Sequence, residues 1–365
     1  MLEHLRRTQI PRNQIIVLLM QGGKMQWELE SEGFTTVHAG WHRSAGLFKY
    51  RLGAMLGRRN VRNVLKRTRD AVLVCNTFRD LSTSGAVAAH YGLPIVWRAR
   101  ADTFVPWSGL NQDELSRAVQ FINKHVTRVV ATTQYEAAAM VREGVRADMV
   151  TTIYNGVPLR ERQPMTGGQG LRQKLSIPDG AVVAATVARL IPQKGFETLL
   201  PAMAAALSEI PHLQLVIAGD STLDPAGDVY KNTLLRLRRT LGLEEHVHFL
   251  GFTDDVAAVL KAADFLVHPA LKEPFGTSLV EGMAAGLAVI APDLPGPREI
   301  VVEDESALFH EPGNQDELAR RMARLAGDPM LRVSLGAQGR QRAERLFDVE
   351  RNMSRLDQIC LAVLP

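Results

Sequence analysis

The sequence predicts an α/β protein made of two doubly wound domains, each with helices on both faces of a parallel sheet, that face each other across a cleft. Short apolar runs alternate with amphipathic helical patterns in two separate series along the chain. A polar stretch rich in glycine and proline, residues 161–180, lies between the series and predicts an interdomain linker. A chain of 365 residues is also too long for one ordinary core.

The first series, residues 1–160, contains five apolar runs that predict strands. They cover residues 15–20, 36–39, 71–75, 95–97 and 128–132. Two amphipathic segments between these runs, residues 47–69 and 109–126, predict helices.

The second series, residues 181–345, repeats the alternation. Strands are predicted at 182–187, 213–218, 247–250, 265–268 and 288–291, and helices at 197–209, 231–241, 256–262, 315–325 and 330–346, with a further helix after Gly276. Residues 346–365 predict a C-terminal helix that packs back on the first domain.

Composition limits the class of protein. Net charge is +4 with a pI near 9.2, which suits anionic small molecules or a membrane surface and does not indicate a nucleic-acid partner. The two cysteines, Cys75 and Cys360, form no disulfide or metal-ligand pattern, which favours a reducing compartment. Because no apolar run reaches bilayer length and residues 1–13 lack a signal-peptide core, the sequence predicts a cytoplasmic protein.

The most informative segment is residues 268–291, HPALKEPFGTSLVEGMAAGLAVIA. A Pro-Phe-Gly turn opens a helix, so unpaired N–H groups at Gly276, Thr277 and Ser278 should face out of the helix start. Free N–H groups and the helix dipole together favour a phosphate there. Glu273 and Glu281 lie on either side of the turn, and a carboxylate can accept two hydrogen bonds from a sugar diol. The pattern therefore indicates a sugar-nucleotide site.

Four blocks in order resemble the retaining GT-B glycosyltransferases of family 4, the glycosyltransferases group 1. They are TTIYNGVPL (151–159), VARLIPQKGFETLLPA (187–202), LVIAGD (215–220) and the long block at 247–301 that contains the Glu-x7-Glu spacing. The resemblance implies two Rossmann-like domains, an acceptor domain followed by a nucleotide-sugar donor domain.

The resemblance also implies a role for individual residues. The positions are Arg189 and Lys194 for the donor diphosphate, Glu273 for the transferred sugar, Phe275, Gly276, Thr277 and Ser278 for the turn that approaches sugar and phosphate, Glu281 for the ribose, and Gly251 and Phe252 for the start of the base-binding loop. Of these, Arg189, Lys194 and Glu273 are expected to be catalytic.

The implied reaction moves a hexose or similar sugar from a UDP- or GDP-linked donor to a glycan or lipid-linked acceptor, as in polysaccharide or lipopolysaccharide biosynthesis. The nucleotide sugar is a co-substrate, and no other cofactor is expected. The sequence shows no Asp-x-Asp pair positioned for Mg²⁺ and no evident Ser-His-Asp or Cys-His arrangement. The expected reaction is therefore metal-independent and needs no protein nucleophile.

The acceptor domain departs from the family in two places. Residues 1–7 resemble the end of the first helix, so the first strand and its glycine-rich loop are expected to be missing; the alternative is that Gly22-Gly23 is that loop. Where many relatives have a sugar-contacting histidine, this chain has Arg98 and Arg100, which could contact the acceptor or a phosphate. Arg100 could equally pair with Asp102 at the surface.

Two further alternatives stay open at this stage. An incomplete acceptor domain would fit a non-catalytic nucleotide-sugar-binding subunit. The basic amphipathic segment 47–69 would fit peripheral contact with anionic lipid at the inner face of the membrane, although an ordinary domain helix with a solvated basic face is the simpler interpretation. His268 is expected to be a core or cleft-edge histidine, not a ligand.

Overall fold

The computed structural model describes residues 2–19, 24–38, 59–68, 70–99, 111–159, 168–221 and 225–364. The chain divides into two compact units. Unit 1 contains Met1–Asn155 and Val349–Pro365, and unit 2 contains Gly156–Asp348. Within the described ranges all strands pair in parallel, so the predicted α/β class is confirmed.

Unit 1 has six described strands in two sheets. A two-stranded sheet pairs β1 with β2, and a four-stranded sheet has the order β3-β4-β5-β6. The strands are β1 (Ile16–Leu19), β2 (Thr35–His38), β3 (Leu73–Cys75), β4 (Ile95–Ala99), β5 (Arg128–Ala131) and β6 (Val150–Thr152). The structure therefore places strands at all five predicted runs and adds β6, which the sequence analysis missed.

The helices of unit 1 flank these sheets. They are α1 (Leu2–Arg7), α2 (Lys24–Ser31), α3 (59–65), α4 (Phe78–Asp80), α5 (Ala86–His90), α6 (Gln112–His125) and α7 (Gln134–Arg142), with a π-helix (Leu81–Gly85) joining α4 to α5 and 3₁₀ turns at Arg12–Gln14 and Ala147–Met149. An N-cap asparagine, Asn111, forms a full capping box with Glu114 and fixes the start of α6.

The C-terminal segment completes the core of unit 1. Strand side chains alternate between the two faces of the sheet, so Trp97 and Val129 pack with Ile122 on one face while Val96 and Val130 point to the other. On that second face they meet Leu356 of the final helix, Val349–Ala362. Because the chain returns to unit 1 for its last helix, this unit is built from two separate segments.

Unit 2 contains one six-stranded sheet. Its strands are β7 (Val182–Val187), β8 (Leu213–Ala218), β9 (Val247–Gly251), β10 (Phe265–Val267), β11 (Ala288–Pro292) and β12 (Ala307–His310), in the order β12-β11-β10-β7-β8-β9. The chain moves outward from β7 to β9, crosses back to β10 beside β7, and moves outward again on the other side. Loops at such a reversal leave a crevice at the carboxyl ends of the strands, where doubly wound sheets bind their ligands.

Helices cover both faces of this sheet. They are α8 (Gly168–Lys174), α9 (Phe196–Glu209), α10 (Pro225–Thr240), α11 (Val256–Ala262), α12 (Thr277–Ala284), α13 (Pro295–Ile300), α14 (Gln315–Gly327) and α15 (Pro329–Leu346), and the final helix of the chain is α16 (Val349–Ala362). A 3₁₀ turn, Pro192–Lys194, precedes α9.

The prediction of a linker at residues 161–180 is wrong in its described part, because α8 lies there and packs on unit 2. Arg172 forms an ion pair with Asp264 at 2.8 Å and donates to the carbonyl of Ala262 at 2.8 Å. A Cβ on Gly168 would lie 2.3 Å from the carbonyl oxygen of Lys261, so this glycine allows the close approach of α8 to α11. The polar, glycine-rich composition of residues 161–180 therefore does not exclude a helix that packs on unit 2.

The basic segment 47–69 is described only from residue 59 onward. There Val61 and Leu65 are buried in the unit 1 core, and Arg62, Lys66 and Arg67 are exposed. In this part the apolar side chains are used for packing inside unit 1, as in an ordinary domain helix. In the part of the chain that the structure describes, no helix combines the length and apolarity needed to span a bilayer.

Gly195 connects the Pro192–Lys194 turn to α9 and has φ +70°. A Cβ atom added at this position would lie only 2.0 Å from the carbonyl oxygen of Pro269. We expect Gly195→Ala to lower the unfolding free energy by more than about 3 kcal/mol. The left-handed backbone conformation costs alanine about 1–2 kcal/mol, and the backbone must also move to make room for the Cβ atom. Gly180, with φ +78° and no atom within 4 Å of an added Cβ, is the matched control. Urea denaturation of both alanine variants checks this; equal losses would contradict it.

Candidate active site

The predicted donor-site residues of unit 2 lie at or after the carboxyl ends of β7, β9 and β10, and some of them lie on α12. Backbone hydrogen bonds join neighbouring loops: Leu271 N–H donates to the Gln193 carbonyl at 2.9 Å, and Leu190 N–H donates to the Asp220 carbonyl at 2.9 Å. Because β7 and β10 are neighbours at the sheet's reversal point, residues 79 positions apart in the chain come into contact here.

Lys194 and Glu273 meet directly. The Lys194 Nζ lies 2.6 Å from Glu273 Oε2, and the two side chains are 20% and 8% exposed. A buried carboxylate is stable only when its charge is compensated. The ion pair meets that need in the unliganded protein, and it places an ammonium group beside the carboxylate that the resemblance assigns to the sugar.

His268 is the second partner of Glu273. Its Nε2 lies 2.8 Å from Glu273 Oε2, and its Nδ1 lies 3.0 Å from Ser278 Oγ. The residue is buried, as the sequence analysis expected, but its imidazole belongs to the site. A hydrogen-bonded row Ser278–His268–Glu273 therefore exists, which the sequence analysis did not anticipate.

The charge state of Glu273 follows from these contacts. Burial opposes ionisation of the carboxyl group, but the hydrogen bonds and the electrostatic attraction of His268 and Lys194 outweigh burial. Together they hold the pKa of Glu273 well below its usual range. The other carboxylate oxygen, Oε1, accepts the N–H of Phe275 at 3.2 Å.

Helix α12 begins immediately after this carboxylate. Its N-cap is Gly276, with φ +105°. The first hydrogen bonds of the helix are donated by the N–H groups of Leu279 and Val280 to the Gly276 carbonyl. In the described part of the chain the N–H groups of Gly276, Thr277 and Ser278 have no hydrogen-bond acceptor. The helix start thus offers three free donors and the positive end of the helix dipole to an anion.

Glu281 lies one turn into α12 and is partly buried. Burial raises the pKa of its carboxyl group to about 7. Its side chain makes no hydrogen bond or ion pair to any of the residues the structure describes. A carboxylate in such surroundings gains stability from a ligand that donates hydrogen bonds to it, as a ribose diol does.

The remaining donor-side residues surround these groups at more exposed positions. Arg189, in the loop after β7, is exposed. Phe252, directly after β9, is 73% exposed, and its backbone N–H hydrogen-bonds to Asp220. Asp220 also accepts from Lys231 Nζ at 2.7 Å, so the loop that begins at Gly251 is held against the end of β8.

In unit 1, Arg98 and Arg100 were the residues expected to contact the acceptor or a phosphate. Arg98 lies on β4, is 6% exposed and donates from Nη1 to Asn76 Oδ1 at 3.3 Å, so it is an interior residue and not a surface cation. Arg100 and Asp102 lie outside the described residues, as do Gly22 and Gly23. Within the described ranges no three His, Cys, Asp or Glu side chains gather into a metal-binding group.

Comparison with known families accounts for nearly the whole chain. The profile described as Glycosyltransferase Family 4 matches residues 2–161, and the profile described as Glycosyl transferases group 1 matches residues 169–342. The chain belongs to glycosyltransferase family 4. The resemblance inferred from the four sequence blocks is confirmed.

Two bacterial relatives of this family 4 chain show the extent of the similarity, and each match covers only part of the relative's length. A D-inositol 3-phosphate glycosyltransferase of Streptomyces bingchenggensis is 31% identical over 60% of this chain and 49% of its own. The lipopolysaccharide core biosynthesis glycosyltransferase LpsD of Rhizobium meliloti is 29% identical over 69% of this chain and 70% of its own. The chain spans about half the length of the first of these relatives.

Solved structures confirm the GT-B fold. Anabaena HepE, crystallised with UDP and glucose, superposes with a TM-score of 0.85 over 100% of this chain and 95% of its own at 24% identity. A sucrose-phosphate synthase of Thermosynechococcus elongatus superposes with a TM-score of 0.73 over 95% of both chains at 22% identity. The predicted pair of Rossmann-like domains therefore matches the fold of known glycosyltransferases.

Proposed function

We propose that this family 4 glycosyltransferase is a retaining, metal-independent enzyme that transfers a hexose or similar sugar from a UDP- or GDP-linked donor to a glycan or lipid-linked acceptor. The observation that carries the proposal is the contact of Lys194 with Glu273 beside the free N–H groups of α12. An anion site, a cation and a charged carboxylate thus lie together within unit 2. These are the groups that a sugar diphosphate requires.

The proposed chemistry depends on charge separation. When the bond between the sugar and the diphosphate breaks, positive charge grows on the sugar ring and negative charge grows on the departing phosphate, as in glycoside hydrolysis. Lys194 and Arg189, together with the start of α12, stabilise the departing diphosphate. Glu273 accepts hydrogen bonds from sugar hydroxyls, and Glu281 accepts them from the ribose.

Retention of anomeric configuration is proposed through a front-face displacement. The leaving phosphate accepts the proton of the acceptor hydroxyl while the new bond forms on the same face. In this scheme no protein nucleophile is needed. Ser278 is not assigned that role, because its hydroxyl is buried and because its backbone N–H belongs to the proposed phosphate site.

The relatives guide the choice of donor and acceptor to test. HepE structures contain UDP with glucose and also UDP-glucose, which makes UDP and UDP-glucose the first ligands to try. Relatives named for lipopolysaccharide core biosynthesis support a glycan or lipid-linked acceptor. The cytoplasmic location and the contact with anionic lipid remain predictions from composition.

Thermal shift with UDP, GDP and a nucleotide lacking diphosphate tests the donor site directly. We expect a diphosphate nucleotide at a hundred times its dissociation constant to stabilise the protein by about 2.7 kcal/mol. Incubation with the matching nucleotide sugar should then release the nucleotide diphosphate, with faster release when an acceptor is added. Binding without any release would favour the non-catalytic binding subunit, and absence of binding by every nucleotide would refute the proposed site.

A further inference from the structure

The two oxygens of the Glu273 carboxylate have unequal surroundings. Oε2 receives both the Lys194 ammonium at 2.6 Å and the His268 imidazole at 2.8 Å. Among the residues that the structure describes, Oε1 receives a hydrogen bond only from the Phe275 N–H, at 3.2 Å. A carboxylate oxygen can accept two hydrogen bonds, so Oε1 keeps one acceptor position for a ligand while Oε2 is fully used.

Hydrogen bonds hold both the backbone and the ring of His268. Its backbone N–H donates to the Ile290 carbonyl at 2.9 Å, and its own carbonyl lies 3.3 Å from the Nε2 of buried His310. Its ring is held between Ser278 Oγ and Glu273 Oε2. The imidazole therefore cannot turn away from Glu273 without breaking both of its buried ring hydrogen bonds.

The partners of the ring indicate one tautomer. Nε2 faces a carboxylate, which can only accept, so Nε2 must carry a proton. Ser278 can then donate its hydroxyl proton to Nδ1 of a neutral ring. The neutral ring with a proton on Nε2 satisfies all three side chains.

Lys194 and His268 differ in what else they can bind. The Lys194 ammonium has three N–H donors, is 20% exposed and is assigned to the donor diphosphate. The only carboxylate hydrogen-bonded to the His268 ring in the described part of the chain is Glu273. When a diphosphate draws Lys194 towards itself, His268 is the group that still holds Oε2.

We propose that His268 and Ser278 are positioning residues, which hold the Glu273 carboxylate ionised and keep its Oε1 available to a hydroxyl of the donor sugar while Lys194 engages the diphosphate. This inference rests on the proposed function. Ser278 acts through the imidazole and His268 acts through the carboxylate, and neither touches the reacting atoms.

Steady-state kinetics of three variants test the proposal. His268→Leu removes the donor to Oε2 and is expected to lower kcat about a hundredfold, in the range seen when one preorganised donor is lost. His268→Gln keeps an N–H donor on a side chain of similar reach and should recover most of that loss. Ser278→Ala removes a neutral hydrogen bond of about 1 kcal/mol, so about a fivefold loss is expected. The dissociation constant of the nucleotide diphosphate should stay within about threefold in all three.

Nitrogen-15 NMR of histidine-labelled protein gives a readout that does not depend on turnover. In the unliganded protein the resonance pair lost in His268→Gln should show a protonated Nε2 and an unprotonated Nδ1. Ser278→Ala should shift the Nδ1 resonance. A doubly protonated ring, or a proton on Nδ1 alone, would overturn the proposed hydrogen-bond row even if His268→Leu fails to fold.

The outcomes separate this inference from the proposed function. If the wild-type protein neither binds nor cleaves any nucleotide sugar, the function is wrong. If the wild type is active and His268→Leu turns over normally, only the inference is wrong. A covalent glycosyl adduct on Ser278 would also overturn it, since Ser278 would then be a nucleophile. His212→Gln, at an exposed histidine, is the matched control and should leave kcat unchanged.

Discussion

Replacement of Lys194 by alanine is expected to lower kcat for sugar transfer about a hundredfold, or about 3 kcal/mol of transition-state stabilisation. The physical reason is that the positively charged ammonium group stabilises the negative charge that develops on the diphosphate only as the sugar–phosphate bond breaks. Lys194→Gln is expected to lose nearly as much, because glutamine can still donate to Glu273 Oε2 but carries no charge. Initial rates with saturating nucleotide sugar measure both variants.

The folding of the Lys194 variants can be checked independently. Glu273 keeps His268 and the Phe275 N–H as donors, so both variants should remain folded at 25 °C with lower stability. Lys174→Ala, at an exposed lysine on α8, is the matched control and should behave as the wild type. Normal turnover by folded Lys194→Gln would show that the ammonium charge does not act on the leaving group.

Glu281 is expected to give the unliganded protein an unusual dependence on pH. Its pKa is about 7 in the folded protein against 4.5 for the free side chain. The folded state therefore holds the proton more tightly, so the contribution of Glu281 to stability is greatest below pH 4.5 and is lost as pH rises through 7. Because of this carboxyl group, raising the pH from 5 to 8 should lower the unfolding free energy by on the order of 2 kcal/mol.

Urea denaturation of Glu281→Gln at the two pH values measures this cost. The variant lacks the titrating group, so its stability should fall by about 2 kcal/mol less than that of the wild type from pH 5 to pH 8. Glu209→Gln, at an exposed glutamate of α9, is the control and should follow the wild type. Parallel pH profiles of wild type and Glu281→Gln would mean that Glu281 is not destabilised by burial.

The same carboxylate makes nucleotide binding depend on pH in the opposite direction. A ribose diol donates to the ionised form, so wild-type affinity for the nucleotide should rise from pH 6 to pH 8. The phosphate of the ligand also titrates near pH 6, and Glu281→Gln supplies the baseline for that effect. Calorimetry should find the variant about thirtyfold weaker at pH 8, the loss expected for about 2 kcal/mol of charge-assisted hydrogen bonding.

Much of unit 2 could be predicted because its sequence signals are local. Strands buried on both faces form continuous apolar runs, and the predicted runs at 182–187 and 213–218 match β7 and β8 residue for residue. The strands that were missed, β6 and β12, are edge strands of three and four residues. So short a run carries too little pattern to be distinguished from a loop.

The missed parts of the site depend on contacts between side chains. Glu273 and Lys194 were found because both lie within recognisable blocks. His268 was expected to be a core or cleft-edge histidine, because sequence cannot show that a histidine five residues before Glu273 faces its carboxylate. The one available signal was that His268, Glu273 and Ser278 fall within 11 consecutive residues around a turn, which brings polar groups together.

The final helix has a consequence for how the protein is made. Residues Val349–Pro365 belong to unit 1, where Leu356 and Cys360 cover Val96 and Val130, and where Asp357 accepts hydrogen bonds from Thr8 and Gln9. On the ribosome, all of unit 2 emerges before the last segment of unit 1. The first part of the chain to be synthesised is therefore the last to complete its core, because residues that follow unit 2 must emerge before the sheet of unit 1 is covered.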